Sequence, residues 1–294
     1  MLSLHTNAAA LSAQNSISRT QSSLSTSMTR LSTGYRINSA MDDAAGLQIA
    51  TRLKTQTSGM NVAMRNTQNS ISMLQTGEGA LDEVGSILNR MKDLATQAAD
   101  GSSTPADQTA MQGEYDSLTS ELSNIMTNTK FGGTALLTKT TGKLDTAAGV
   151  DFQIGADSAE KLTAKFKTAL DQVHTDVTTA SAEYDGATGV ASAGGTELTA
   201  AGGANATINK LATAIDSVSA LRSSLGAVSN RLDHVYNNLS NVSTNTKNAS
   251  GRIMDVDFAT ESATMTSSQM LLQAGTAMLK QSNSQSSLVL SLLQ

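Results

Sequence analysis

LATAIDSVSALRSSLGAVSNRLDHVYNNLSNV, residues 211–242, sets Leu211, Val218, Leu225, Leu232 and Leu239 seven residues apart, with Ala214, Leu221, Val228, Val235 and Val242 three residues behind them. Unbroken heptads with apolar first and fourth positions are the pattern of a helix that buries a narrow seam against other helices. The N-terminal half carries the same step at Leu53, Met60, Leu74, Leu81 and Leu88, with Thr67 as the one polar interruption. One-sided helices about forty residues long, far apart in sequence, need each other or another molecule. The expected class is mainly α: a long antiparallel helical rod or coiled coil from paired N- and C-terminal segments, with a small β-hairpin region and a short variable middle segment.

Composition narrows the function classes. Aromatic residues make up 3% of the 294 and tryptophan is absent, so a core must come from Leu, Ile, Val, Met and Ala. The absence of cysteine excludes disulfides, thiolate metal sites and a cysteine nucleophile. A net charge of −5 with 15% charged residues argues against broad binding to nucleic acid or anionic membrane. No run approaches the roughly eighteen apolar residues of a bilayer span. Residues 1–10 lack the basic start and apolar run of a cleaved signal peptide, so export is expected to take another route.

Along the chain, a first helix is expected from Leu4 to Leu31, stopped by Gly34, and a polar connector follows to Asp42 and Asp43, acids suited to a helix start. A second helix runs from about Ala44 to Ala99, loosened near Gly77 and Gly79; at ~1.5 Å per residue it reaches roughly 80 Å. Thr104 and Pro105 read as the cap and first residue of a third helix, folded back on the second, with Met111, Tyr115, Leu118, Leu122 and Ile125 along one face. Short strands with glycine turns are expected around Phe131–Leu137, 150–155 and 161–166. Residues 178–206 are dominated by Ala, Gly, Thr and Ser and read as a surface loop or tiny domain rather than core. Helical period resumes over 208–242, and Asp255 and Asp257 are expected to cap a last helix bearing Met265, Leu272 and Leu279.

Several segments resemble bacterial flagellins: LSTGYRINSAMDDAAG (31–46), LNRMKDLATQ (88–97), FGG (131–133), FQIG (152–155), SGRIMDVDFATE (250–261) and QAGT (273–276) with the Leu292–Leu293 ending. The resemblance spans about residues 1–165 and 205–294. It implies a secreted, extracellular subunit of the bacterial flagellum filament, a homopolymer serving swimming or swarming motility. Its partners would be copies of itself, a flagellar export chaperone, the filament cap and hook-associated proteins. No enzyme activity, cofactor, catalytic residue or metal is implied.

It also implies an inner coiled coil from 1–43 with 253–294, a helical rod with hairpins from 44–177 with 205–252, and a short variable surface segment at 178–204. Leu4, Leu11, Leu24, Leu31, Leu272, Leu279, Leu292 and Leu293 are expected to pack in the polymer core. Leu74, Leu81, Leu88, Leu118, Leu122, Leu225, Leu232 and Leu239 are expected to pack the rod. The two chain ends, about 1–39 and 253–294, are expected to order on assembly, because an isolated one-sided helix recovers little of its backbone entropy.

Arg36, Asn38, Asp42 and Asp43 have two readings: a solvated loop with helix-capping acids, or a set of contacts to neighbouring subunits. Arg90, Leu94 and Glu114 match the surface that a Toll-like receptor recognises in many flagellins, the plainer alternative for Arg90 being an exposed helix residue packing between subunits. An enzyme finds little support, since His5, His174 and His234 are scattered and Gly77–Gly79 lacks the context of a dinucleotide loop. A hook–filament junction adaptor is the closer rival, and a soluble coiled-coil module would have no use for a glycine-rich middle.

Overall fold

The computed structural model describes residues 7–187 and 194–292, with side chains as far as residue 284. Helices α1 (Ala8–Thr33), α2 (Ala44–Ala98) and α3 (Pro105–Asn128) lead to strands β1 (Lys130–Phe131), β2 (Thr134–Ala135), β3 (Val150–Gln153) and β4 (Lys161–Ala164). Helices α4 (Lys167–Ala180), α5 (Gly203–Met254) and α6 (Phe258–Leu292) complete the order. The fold is mainly helical with two small antiparallel hairpins, as the periodicity predicts.

The local signals act as expected. Gly34 ends α1 in the left-handed region at φ 77°, donating its N–H to the Arg30 carbonyl. Thr104 caps α3 in a capping box with Asp107, with Pro105 in the first turn. Gly132 and Gly133 both take positive φ, the requirement of a two-residue hairpin turn, and pair Phe131 with Thr134. The longer hairpin sets Phe152 opposite Leu162.

The chain divides into two compact units, residues 58–243 and residues 1–57 with 244–294. These boundaries fall inside α2 and α5, whereas the expected ones, after residue 43 and before residue 253, lie at the start of α2 and at the end of α5. Gly77 does not loosen α2: the helix passes through it, with Leu136, Leu144 and Leu225 around the bare Cα.

In the unit of residues 58–243, α2 and α5 run antiparallel. Arg222 reaches Asp82 at 2.8 Å and Glu78 at 3.7 Å, and Met60 and Ala63 pack with Leu239. Leu74, Leu81, Leu88, Leu122, Leu225, Leu232 and Leu239 are buried, and Leu118 is half-buried against the same core. Thr67, the polar heptad position, is buried with its hydroxyl donating to the Ala63 carbonyl at 2.8 Å, so it leaves no unsatisfied group. Val242, the last fourth position of the repeat, is exposed.

The middle holds one helix the sequence reading did not assign and corrects one expectation. Residues 167–180 form helix α4, whose Leu170, Val173, Val177 and Ala180 are buried. The stretch read as a surface segment at 178–204 also contributes core: Ser181, Glu183, Tyr184 and Leu198 are all buried. Long-range packing against α3 and α4 supplies what its low-complexity sequence conceals. Tyr115 donates its hydroxyl to the Ala180 carbonyl at 2.8 Å, and Ser123 donates to the Asp185 carbonyl at 3.0 Å.

Candidate assembly surface of the terminal helices

The unit of residues 1–57 and 244–294 is built differently. Helices α1 and α6 lie antiparallel, joined at one end by Asn7 Nδ2 donating to the Ser282 carbonyl at 3.2 Å and to Ser282 Oγ at 3.1 Å. Near the other end, Ser27 Oγ donates to Glu261 Oε1 at 2.5 Å, and Arg30 lies 3.7 Å from Glu261 Oε2. Between them Gly275 admits Ile17, since a Cβ there would stand 2.9 Å from Ile17 Cγ1.

Apolar burial in this pair is poor. The only buried residue of α1 is Ser27, and the buried residue of α6 among those described is Ser268. The expected seam residues Leu24, Leu31, Leu272 and Leu279 are only half-buried. Leu11 is 61% exposed and lies off the seam within the chain. Leu4 and Leu293 lie outside the described residues, as does the side chain of Leu292. Met28, Phe258, Met270, Leu271 (59%) and Met278 (68%) are exposed as well. Phe258 continues the step of Met265, Leu272 and Leu279, and Met28 lies between Leu24 and Leu31, whereas Met270, Leu271 and Met278 stand off the repeat and were missed by following it; the available signal was their size and apolarity. A cleft of about 810 Å³ runs beside Leu271, lined by small residues including Ala259, Ala263, Thr264 and Ser267.

The connector satisfies itself within the chain. Arg36 donates from its guanidinium to the Ile253 carbonyl at 2.8 Å and from its backbone to the Met254 carbonyl at 2.6 Å. Asn38 Nδ2 donates to the Tyr35 carbonyl at 2.8 Å. Asp42 Oδ2 accepts from the N–H groups of Ser39 (2.9 Å) and Asn38 (3.0 Å), which hold its carboxyl below the usual range. Asp43 accepts from Gly46 N–H at 2.8 Å, the expected cap of α2. Asp257 likewise accepts from Ala259 N–H at the start of α6. Asp255 does not cap: it pairs with Tyr35 in an isolated bridge, beside Val256 N–H donating to the Gly34 carbonyl. Asp43 thus caps α2, while Asp42 closes the turn of residues 38–42 within the connector.

On the other unit, Arg90 and Glu114 meet on the surface, with Arg90 Nη2 at 2.6 Å from Glu114 Oε1. Leu94 does not join them. It is 2% exposed, because the three- and four-residue steps that carry Met91, Ala95 and Ala98 into the core carry Leu94 with them. The expected three-residue surface is therefore corrected to an exposed ion pair above a buried leucine. His174, one of the three scattered histidines, is a core residue: its ring nitrogens meet Tyr184 Oη at 2.7 Å and the Leu137 carbonyl at 2.9 Å. His234 is exposed on α5, and His5 lies outside the described residues. Among the described residues no cluster of metal-ligating side chains occurs, and no helix is long and apolar enough to cross a membrane.

Comparison with known proteins agrees with this layout. Residues 4–141 match the bacterial flagellin N-terminal helical region, and residues 208–293 match the bacterial flagellin C-terminal helical region. Polar flagellin F of Vibrio parahaemolyticus is 47% identical over 166 residues, which cover 56% of this chain and 42% of the relative. B-type flagellin of Pseudomonas aeruginosa is 46% identical over 161 residues, covering 55% of this chain and 32% of the relative. The matched part thus spans less than half the length of these relatives. A crystal structure of Bacillus cereus flagellin is 31% identical, with a TM-score of 0.46, over 60% of this chain and 88% of that one. With both of its helical ends matched in order, the chain belongs to the bacterial flagellin family.

Proposed function

We propose that the protein is a structural, non-catalytic subunit that polymerises with copies of itself into the extracellular filament of a bacterial flagellum, the propeller of swimming or swarming cells. One observation carries this reading. The α1–α6 pair leaves Leu11, Met28, Met270, Leu271 and Met278 open to solvent and buries no large apolar side chain among the described residues. Apolar area removed from water contributes about 25 cal/mol per Å², so stacking such pairs side by side recovers what one pair leaves exposed. Relatives named as polar flagellins support the choice of filament over hook–filament junction.

Domain roles follow from the same reading. The paired ends, about 1–43 with 253–294, serve as the inner layer of the filament, and residues 44–177 with 205–252 serve as its helical rod. The exposure of Arg36 beside its backbone partners supports the reading that it contacts a neighbouring subunit. The export chaperone, filament cap and hook-associated proteins are the partners this assembly route requires. The exposed Arg90–Glu114 pair remains a candidate contact for a Toll-like receptor in free subunits.

The test is seeded polymerisation of the purified full-length chain, followed by electron microscopy. Long tubes from filament fragments are expected. Removing residues 258–294 should abolish them while residues 58–243 keep their helical signal. A full-length chain that stays a discrete particle at every concentration, seeded or not, would sink the reading.

A further inference from the structure

Beneath the connector between α4 and α5, three carboxylates gather against α3, and among the described residues none of them is paired with a lysine or arginine. Gln112 is the hub. Its Nε2 donates to Asp116 Oδ1 at 2.6 Å and to Glu197 Oε2 at 3.0 Å, while its Oε1 accepts from Leu198 N–H at 2.7 Å. Glu197 Oε1 accepts from Ala182 N–H at 2.8 Å. Glu183 is the exception. It is 3% exposed, and its buried Oε1 has no hydrogen-bond partner. That oxygen and Asp116 Oδ2 flank the same point: a Cβ on Gly194 would stand 3.5 Å from the first and 3.3 Å from the second.

An ionised Glu183 would be a buried anion facing two others, an arrangement that strongly favours the neutral acid. Burial first, then the Asp116 charge and more weakly the Glu197 charge, push the Glu183 carboxyl up from its ordinary value, against a pull from Gly195 N–H. Among the described residues, none of the other groups around the site forms an ion pair with these acids. Tyr115 on α3 is a neutral phenol, pushed up by burial and by the same three acids. Lys210 of α5 is the one cation lining the adjoining cleft with Glu197, and among the described residues it makes no ion pair. Asp185 follows on the connector.

We propose that Glu183 is a proton-operated latch. Protonated, it lets the connector residues 181–187 and 194–202, with the first turn of α5, seat on α3; ionised, it loosens them and uncovers Tyr184 and Leu198. What the latch holds is visible in the seated state: Ser181 and Thr119 hydroxyls 3.1 Å apart, Ser123 bonded to the Asp185 carbonyl, and Tyr115 to the Ala180 carbonyl. With the folded value raised above the unfolded one, this stabilisation is complete below the unfolded value and is lost as pH rises through the folded one. The proposal is independent of the filament reading and holds for the free chain.

Backbone amide exchange in the full-length chain tests it, comparing wild type with Glu183→Gln from about pH 5 to about pH 8.5, a range that brackets a raised carboxyl. The ratio of opening constants for 194–207 should rise roughly tenfold in wild type over the variant for each unit by which the folded value exceeds the unfolded one. Taking the ratio removes pH effects common to both chains. Parallel profiles, or a variant less protected at every pH, would overturn the latch. A carbon-13 titration of the Glu183 carboxyl in wild type gives an answer even if the variant fails to fold, because titration in the ordinary glutamate range rejects the proposal. So does millimolar calcium ion that restores protection at alkaline pH in wild type alone, which would make the cluster a cation site.

Discussion

Ser27 and Glu261, 234 positions apart in sequence, share a 2.5 Å hydrogen bond at the one buried position of α1. The one buried residue of α1 thus makes a polar contact while the seam leucines Leu24 and Leu31 stay half-buried, and together with Asn7–Ser282 that contact sets the register of the α1–α6 pair. Glu261→Ala should weaken the pairing by about 1.5–3 kcal/mol, the range for a hydrogen bond to a charged group. Ser27→Ala should cost less, because Arg30 stays near the carboxylate. Amide exchange across residues 20–33 of the free chain checks both, and equal effects would show that Ser27 does not position Glu261.

Leu81 is fully buried where α2 meets α5. Leu81→Ala should lower unfolding stability of the 58–243 unit by about 2–5 kcal/mol through lost transfer energy and the cavity left behind. Gly79 lies on the same helix with nothing within 4 Å of its missing Cβ, so Gly79→Ala should stabilise by about 0.5–1 kcal/mol. Urea denaturation of both variants measures the contrast.

Thr104→Ala should cost about 1 kcal/mol, since it removes the hydroxyl that accepts from Asp107 N–H in the capping box. Thr104→Ser should recover most of that. The thermal midpoint of the free chain is the measurement.

His174 is pushed down from its ordinary value, first by burial and further by the nearby Lys139 charge, against opposing pulls from the Leu137 carbonyl, Asp145 and Asp171. A lowered folded value means its stability is present above the unfolded value near 6.5 and is lost as pH falls below it. The urea midpoint of the 58–243 unit should therefore drop between about pH 7 and about pH 5, and His174→Gln should flatten that slope. Asp145, held below the usual range by Lys167 and Thr140 N–H despite its burial, acts in a separate window near and below pH ~4. Gly186→Ala should disrupt the His174–Tyr184 pair at every pH, because its Cβ would run into His174 Nδ1 and Tyr184 Oη.

Much of the helical architecture was legible because its causes are local. Heptads at Leu211–Leu239, the stop at Gly34 and the start at Thr104–Pro105 act within a turn or two of themselves. Helix α4 was also within reach: Leu170, Val173, Val177 and Ala180 step by three and four, but threonines and a short length diluted the pattern. The assembly surface was half legible. The repeat located the helices, while Met270, Leu271 and Met278 became visible only once α1 had occupied one side of α6.

The sequence by itself determined the existence of the long helices α2, α3, α5 and α6, the stop of α1 at Gly34, the start of α3 at Thr104–Pro105, and which stripe of α2 and α5 turns inward, because periodicity and capping are short-range properties of the chain. Only the tertiary structure decided that Leu94 is core, that Ser27 takes the buried place on α1, and that Glu183 lies among Asp116 and Glu197. Burial and charge proximity depend on residues distant in sequence, and no local pattern encodes which distant side chains will meet.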